Sequence, residues 1–277
     1  MRLPGPTEIF CLFDDARVRG PAPARLYRDP VATIAAYRMD EVQPALDRVA
    51  QASDAGLHAA GFISYEAGLA LEDRLAPIAA RSEGGGAPLL WFGLFEGMRR
   101  IPSTAVPGLL PDRAQAKIGT VRPLIAEADY RRAFEAVQGY IHAGDIFQAN
   151  LTQRLLGVLP KGLSPFMLYR RLRALSPAPF GAYLTAGSGV AIASASPERF
   201  LKLTLGGHVS TRPIKGTRPR GRTPGEDAKL ARDLFESEKD QAENLMIVDL
   251  LRNDLSRVCR LGSVEVKELA ELESFAN

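Results

Sequence analysis

A lysine lies in the middle of residues 212–217, which read Arg-Pro-Ile-Lys-Gly-Thr. A lysine held among other cations is expected to have its charged form disfavoured, so that the neutral, nucleophilic amine becomes accessible. This pattern indicates a lysine that attacks an electrophilic carbon of an anionic substrate. A basic surface loop, in which proline and glycine make the turns, would have the same residues, and the segment alone leaves both interpretations open.

Two carboxylates, Asp240 and Glu243, are three residues apart in a predicted helix over residues 239–251, so they share one face. Such a pair can hold a hard divalent cation directly or through water, and Mg²⁺ usually takes one or two carboxylates plus substrate oxygens. The alternative is a solvated helix face on which the carboxylates pair with Lys239 or another nearby cation.

A third carboxylate, Glu198, lies between two predicted strands in the segment Ser-Pro-Glu-Arg-Phe. If partial burial raises its pKa, Glu198 can serve as a general acid or base. An ion pair with Arg199, or a carboxylate in an ordinary turn, explains the residue equally well.

Strict alternation of apolar and polar residues predicts a strand over residues 147–154. Phe147, Ala149 and Leu151 would face a core, and the opposite face, which carries Gln148, would present a row of hydrogen-bonding groups. That polar face is either a binding surface or a solvated sheet face.

The composition excludes several classes of protein. Of the 277 residues, 46% are hydrophobic and 24% charged, as in ordinary globular proteins, and the net charge of +3 does not indicate a nucleic-acid binder. Two distant cysteines, Cys11 and Cys259, argue against a disulfide scaffold and fit a cytoplasmic protein. We find no secretion signal, no run of about 18 apolar residues and no G-x-G-x-x-G, P-loop or G-x-S-x-G motif.

The elements that must position these residues are mixed helices and strands without regular βαβ alternation, which predicts an α+β fold with mainly antiparallel sheets. The predicted helices cover residues 41–56, a stretch that stops near Gly144, and residues 225–253 with a possible break. The predicted strands include residues 61–66, 89–95, 190–194, 200–205, 208–211 and 263–268. Residues 101–122 are rich in proline and charge, and we place a domain boundary there, with domains at 1–118 and 119–277.

Four ordered segments resemble the chorismate-utilising enzymes, a family that includes anthranilate, aminodeoxychorismate, isochorismate and salicylate synthases. They are GDIFQANLTQR (residues 144–154), SPERF (196–200), RPIKGT (212–217) and KDQAENLMIVDLLRNDL (239–255). The resemblance implies a fold like that of anthranilate synthase component I, with antiparallel sheets packed face to face and helices outside.

Two positions distinguish the branches of this family. Isochorismate and salicylate synthases have a water-activating lysine where this chain has Gln148, and an amide cannot act as such a base. Anthranilate synthases usually have alanine where this chain has Lys215, a lysine typical of aminodeoxychorismate synthases. The resemblance therefore implies amination of chorismate at C4 for para-aminobenzoate and folate synthesis, with anthranilate synthesis as the alternative.

The resemblance also implies a role for each candidate residue. Lys215 would attack C2 of chorismate, Glu198 would handle protons, and Gly216, Thr217 and Gln148 would contact the substrate. Glu243 would ligate Mg²⁺, with Asp240 in the outer shell of the metal. We expect three arginines to steer the dianion and depress the Lys215 pKa: Arg212, Arg218 and Arg220. The alternative role of Arg212 is a structural ion pair with Glu198.

The partners implied by the resemblance are chorismate and a glutamine amidotransferase subunit that supplies ammonia, with neither nucleic acid nor membrane. Members of the family continue beyond the position of Asn277, so we expect a fold that is incomplete at the C-terminus and little or no turnover by this chain alone. A non-catalytic remnant that only binds the glutaminase is a further alternative.

Overall fold

The computed structural model describes residues 8–79, 86–111, 119–187 and 189–275. Within these residues every strand pairing is antiparallel. The strands are β1 (Phe10–Asp14), β2 (Ala24–Arg28), β3 (Ala32–Ala36), β4 (His58–Ile63), β5 (Leu90–Phe95), β6 (Arg99–Ile101), β7 (Arg122–Pro123), β8 (Leu155–Leu156), β9 (Phe180–Gly187), β10 (Val190–Ser196), β11 (Arg199–Leu203) and β12 (Val209–Arg212).

The helices of the described residues are α1 (Met39–Asp54), α2 (Ala76–Ala79), α3 (Val106–Leu109), α4 (Glu127–Ala143), α5 (Pro165–Leu175), α6 (Pro224–Phe235) and α7 (Glu238–Ser256). Two 3₁₀ turns, Tyr65–Ala70 and Asp73–Leu75, lie between β4 and α2. None of the helices in these ranges is both long enough and apolar enough to cross a bilayer.

Two sheets pack face to face, as predicted. A five-stranded sheet has the order β10-β9-β1-β2-β6, and a three-stranded sheet has the order β3-β5-β4. Side chains from both sheets form the layer between them: Cys11, Ala60, Trp91, Phe95, Leu184 and Ala186. Cys11 is a core residue, and its burial in this layer raises the pKa of its thiol to about 12.

Helices cover the outer faces of this pair of sheets. Val42 and Ala45 of α1 pack on the three-stranded sheet beside Ile34 and Leu90. On the other side, α3 and α5 cover the five-stranded sheet, where Phe166 stacks on Tyr169. The result is a four-layer arrangement of helix, sheet, sheet and helix.

The elements around the four motifs lie outside this core. They comprise α4, the short β7–β8 pair, the β11–β12 hairpin, α6 and α7. Helix α4 ends as predicted at Gly144, whose φ of 79° places it in the left-handed region that favours glycine. Helices α6 and α7 are separated only by Glu236 and Ser237, so the predicted break in the 225–253 region is real.

Two predicted strands are wrong. Residues 147–154 form no strand, and only Leu155–Leu156 beyond them pairs with another strand. Residues 263–268 also have no strand conformation. In both segments the alternation of residue types is present, but the described part of the chain places no partner strand beside it, and a strand without a partner leaves its backbone groups unpaired.

The predicted division at residue 118 stays a prediction. The five-stranded sheet combines β1, β2 and β6 from before the boundary with β9 and β10 from after it. Residues 112–118, at the predicted boundary itself, lie outside the described residues.

Candidate active site

A cleft of about 1390 Å³ lies between the β11–β12 hairpin, the segment after β12, one side of α6 and α7, and the segment 258–275. Four of the candidate residues line it: Lys215, Gly216, Thr217 and Asp240. The cleft is therefore built from the third and fourth motifs, and the third motif follows directly from the end of β12.

The segment that carries Lys215, residues 213–218, is called here the Lys215 turn, and it packs closely on α6 and α7. Gly216 has a φ of 67°, and a Cβ atom added there would lie 2.9 Å from the Cβ of Asp240 and 3.0 Å from Cδ1 of Leu234. Both the backbone conformation and the contact therefore require glycine. Lys215, the residue before Gly216, is half-buried.

Asp240 also binds Arg218, at the C-terminal end of the same turn. Nη2 of Arg218 donates to Oδ2 of Asp240 at 2.8 Å, and the Asp240 side chain is only 12% exposed. The Ser237 hydroxyl and the Arg218 guanidinium hold the pKa of Asp240 below its usual value, because each stabilises the carboxylate. Ser237 also caps α7, since its Oγ accepts a hydrogen bond from the backbone N–H of Asp240.

The first and fourth motifs meet at Gln148 and Glu243, which are 95 residues apart in the chain. Nε2 of Gln148 donates to Oε1 of Glu243 at 2.9 Å, and both side chains are half-buried. Neither residue lines the cleft itself, although Asn244, next to Glu243, does. An amide at position 148 thus orients one carboxylate oxygen of a candidate metal ligand.

The three arginines near Lys215 are all paired with carboxylates. Arg212 contacts Glu271 at 2.5 Å and Glu273 at 2.6 Å, so the expected pairing of Arg212 with Glu198 is wrong. Arg218 is bound to Asp240, as described above.

Arg220 contacts Asp227 at 2.5 Å, and its Nη1 also donates to the backbone oxygen of Phe275. This pairing raises the pKa of Arg220 and lowers that of Asp227 to about 2. A carboxylate thus balances each of the three charges near Lys215, and the expected effect of these arginines on Lys215 and on the substrate stays a prediction.

Glu198 is exposed in the turn that precedes β11, and it does not line the cleft, although Arg199 beside it does. Its backbone N–H donates to Oγ of Ser196, which in turn donates to the Glu198 carbonyl oxygen. The partial burial on which its use as a general acid or base depends is absent in this arrangement, and that role stays a prediction.

Sequence reasoning missed three features of the site. The carboxylates Glu271 and Glu273, which reach Arg212 from the far side of the cleft, are too distant in sequence to be paired by pattern. The pairing of Arg218 with Asp240 was missed for the same reason. The cap at Ser237 had a local signal, because Ser followed three residues later by Asp is a capping pattern.

The described residues contain no group of three or more His, Cys, Asp and Glu side chains arranged to bind a metal ion. Glu243 offers one oriented carboxylate, and Asp240 is already engaged by Arg218. The donor set of this chain therefore fits an ion that takes a single protein carboxylate here and completes its shell from substrate and water.

Known proteins have sequences similar to that of this chain. The chain is 46% identical over 147 residues to the aminodeoxychorismate synthase of Streptomyces pristinaespiralis, a match that covers 53% of this chain and 20% of that protein. It is 42% identical over 184 residues to anthranilate synthase component 1 of Thermus thermophilus, which covers 66% of this chain and 38% of that protein. The chain thus spans well under half the length of either relative.

The fold also has a counterpart among solved structures. The crystal structure of anthranilate synthase component I from Streptococcus pneumoniae superposes with a TM-score of 0.67 at 23% identity, covering 91% of this chain and 65% of that one. This likeness confirms the predicted fold of antiparallel sheets and outer helices.

The chorismate binding enzyme family matches residues 9–277. That range includes the four-layer core, the four motifs and the whole of the cleft, and so the chain belongs to the chorismate binding enzyme family.

Proposed function

We propose that the protein is the chorismate-binding component of an aminodeoxychorismate synthase, which aminates chorismate at C4. The observation that carries the proposal is the position of Lys215, half-buried in the lining of the cleft on a turn packed against α7. The similarity to named aminodeoxychorismate synthases supports it, and so does the amide at Gln148, which cannot activate water as a base.

In this proposal Lys215 is the nucleophile. Its Nζ forms a bond to C2 of chorismate while the C4 hydroxyl leaves as water, with Glu198 as the donor of the required proton. Ammonia then forms a bond to C4, the bond between Nζ and C2 breaks, and the lysine is regenerated. Thr217 and Gly216 line the cleft beside the nucleophile. There they would contact the ring and its substituents.

A magnesium ion would be held by Glu243, and it would neutralise a carboxylate of the substrate and orient the ring. Gln148 keeps one oxygen of Glu243 in place through the 2.9 Å hydrogen bond. Ammonia would come from a glutamine amidotransferase subunit, and the two together would serve para-aminobenzoate and folate synthesis.

The rival function is that of anthranilate synthase component I. It is favoured by the 42% identity to the Thermus thermophilus enzyme, and disfavoured by the presence of a lysine at position 215. The two reactions differ in product and in the covalent intermediate, so a single set of measurements separates them.

The test is to incubate the purified chain with chorismate, Mg²⁺ and ammonium, and to examine both the protein and the small molecules by mass spectrometry. We expect a substrate adduct on Lys215, absent in Lys215→Ala and retained in the exposed control Lys202→Ala, with slow or undetectable release of aminodeoxychorismate. Formation of anthranilate without an adduct would establish the rival function.

The same samples distinguish a non-catalytic remnant. If calorimetry detects no chorismate binding and a glutaminase subunit is nevertheless retained in a pull-down, the chain acts only as a binding partner. That result would refute the proposed activity for this chain.

A further inference from the structure

We infer that Asp240 is a positioning residue that holds the Lys215 turn on helix α7, rather than part of the metal shell. The inference deepens the proposed function, since it rests on Lys215 being the reactive amine. It changes the role that the helix-face pattern predicted for Asp240, and it leaves Glu243 as the carboxylate available to a cation.

The first observation is the ion pair with Arg218. The Asp240 carboxylate accepts a hydrogen bond from Arg218 at 2.8 Å, with the two side chains 12% and 32% exposed, so water screens this pair less than an open surface pair. Arg218 comes three residues after Lys215 in the chain. A carboxylate on a helix is thereby tied to the segment that carries the nucleophile.

The second observation is independent of charge. The backbone of Gly216 lies so close to Asp240 that an added Cβ would be 2.9 Å from its Cβ and 3.0 Å from its Cγ. The backbone of the Lys215 turn therefore packs directly against the Asp240 side chain. A single residue contacts the turn at Gly216 and again at Arg218, and so restrains the backbone on the C-terminal side of Lys215.

The third observation separates the two carboxylates of α7. Glu243, three residues further along the helix, contacts Gln148 of the first motif rather than the Lys215 turn. Each carboxylate therefore holds a different segment against the same helix. Asp240 positions the nucleophile, whereas Glu243 is bound by Gln148.

The test measures how tightly the turn is held. In Asp240→Asn we expect the rate of tryptic cleavage between Lys215 and Gly216 and the acylation rate of Lys215 to rise roughly fivefold, the upper end of the range for a partly exposed ion pair. Gly216→Ala should loosen the same turn without changing any charge. Acylation of Lys202, which is exposed on β11, should change in neither variant.

Glu243→Gln is the matched control, because it neutralises the neighbouring carboxylate of the same helix. We expect it to leave tryptic cleavage and acylation at Lys215 unchanged while it weakens Mn²⁺ binding, measured by electron paramagnetic resonance with Mn²⁺ in place of Mg²⁺. Asp240→Asn should retain Mn²⁺ binding, and Asp240→Glu should recover part of the restraint on the turn.

Two results would overturn the inference: unchanged tryptic cleavage and acylation at Lys215 in Asp240→Asn, or loss of Mn²⁺ binding in Asp240→Asn equal to that in Glu243→Gln. If the unaltered chain binds no Mn²⁺, the magnesium part of the proposed function fails, and the cleavage and acylation data still decide the role of Asp240.

Discussion

At the scale of single residues, Asp14 is one of the two buried carboxylates in the described part of the chain. Its side chain is fully buried at the end of β1 and is bound by Arg173, which is 14% exposed. Tyr169 donates a further hydrogen bond to Asp14 at 3.2 Å, and burial and the nearby Asp14 carboxylate raise the pKa of Tyr169, so its hydroxyl remains a donor. The cluster joins α5 to the five-stranded sheet.

We expect Asp14→Asn to destabilise the protein by about 3 kcal/mol, because it leaves the guanidinium of Arg173 buried without its counter-charge. Urea unfolding monitored by circular dichroism measures this loss. The matched control is Asp29→Asn, which removes an exposed pair with Arg28 and keeps a side chain that tolerates the positive φ of 56°. The control should cost well under about 1 kcal/mol, and an equal loss in both variants would contradict the assignment.

Asp227 yields a prediction about pH. It accepts hydrogen bonds from Arg220 and from the backbone N–H of Gly221, and its pKa falls from the ordinary value of 3.8 to about 2. A depressed pKa means that the folded state binds the proton less readily than the unfolded chain. The stabilisation is therefore complete above about pH 4 and is lost as the pH falls toward 2.

The difference in unfolding midpoint between the unaltered protein and Asp227→Asn should accordingly be constant from pH 7 to 5 and shrink below pH 4. Asp233→Asn, on the exposed side of the same helix, should not reproduce that loss. A midpoint difference that stays the same down to pH 2.5 would show that Asp227 is not bound as described.

At the scale of elements, patterns with a strong local cause were predictable. The helix predicted over residues 41–56 is α1, and the strands predicted over residues 200–205 and 208–211 are the paired β11 and β12. The spacing of apolar residues and the glycines between the two strands act locally. The strands predicted at residues 147–154 and 263–268 failed because a strand needs a partner, and alternation alone does not reveal whether one is present.

The candidate site was predictable to the same extent. The third and fourth motifs supplied lining residues of the cleft, such as Lys215, Gly216 and Asp240, whereas the other candidates lie outside the lining: Gln148, Glu198 and Glu243. Their mutual contacts could not be predicted, because a pairing such as that of Arg212 with Glu271 depends on how distant segments fold together. Charge content near Lys215 was visible in the sequence, whereas the neutralisation of that charge was not.

Strand β4 provides a prediction about element packing. Gly61 lies so close to β5 that an added Cβ would be 1.9 Å from the backbone oxygen of Trp91, and backbone cannot move aside cheaply. We expect Gly61→Ala to cost about 3 kcal/mol or more by separating β4 from β5. Gly68→Ala, at a 3₁₀ position with open space around it, should be nearly neutral in the same thermal unfolding measurement.

At the scale of the whole molecule, core and site are separate. Buried side chains occur only up to Ala186 among the described residues, and the motif-bearing region after it contains none. That region instead exposes large apolar side chains, including Phe200 at 75% and Leu245 at 55%. Its helices and hairpin therefore depend on ion pairs and local capping more than on apolar burial, and such interactions stabilise a structure less.

This separation predicts two levels of stability within one chain. Local opening is easier where few apolar contacts must break, so amides of α6 and α7 should exchange about 100-fold faster than those of β1, β5 and β9. Hydrogen exchange with peptide resolution, in a buffer that keeps the core folded, measures the difference. Limited proteolysis should likewise cut the 199–275 region first and leave the paired sheets intact. Equal protection of α7 and β9 would mean that the site region is stabilised by interactions stronger than the exposed ion pairs and caps that hold it here.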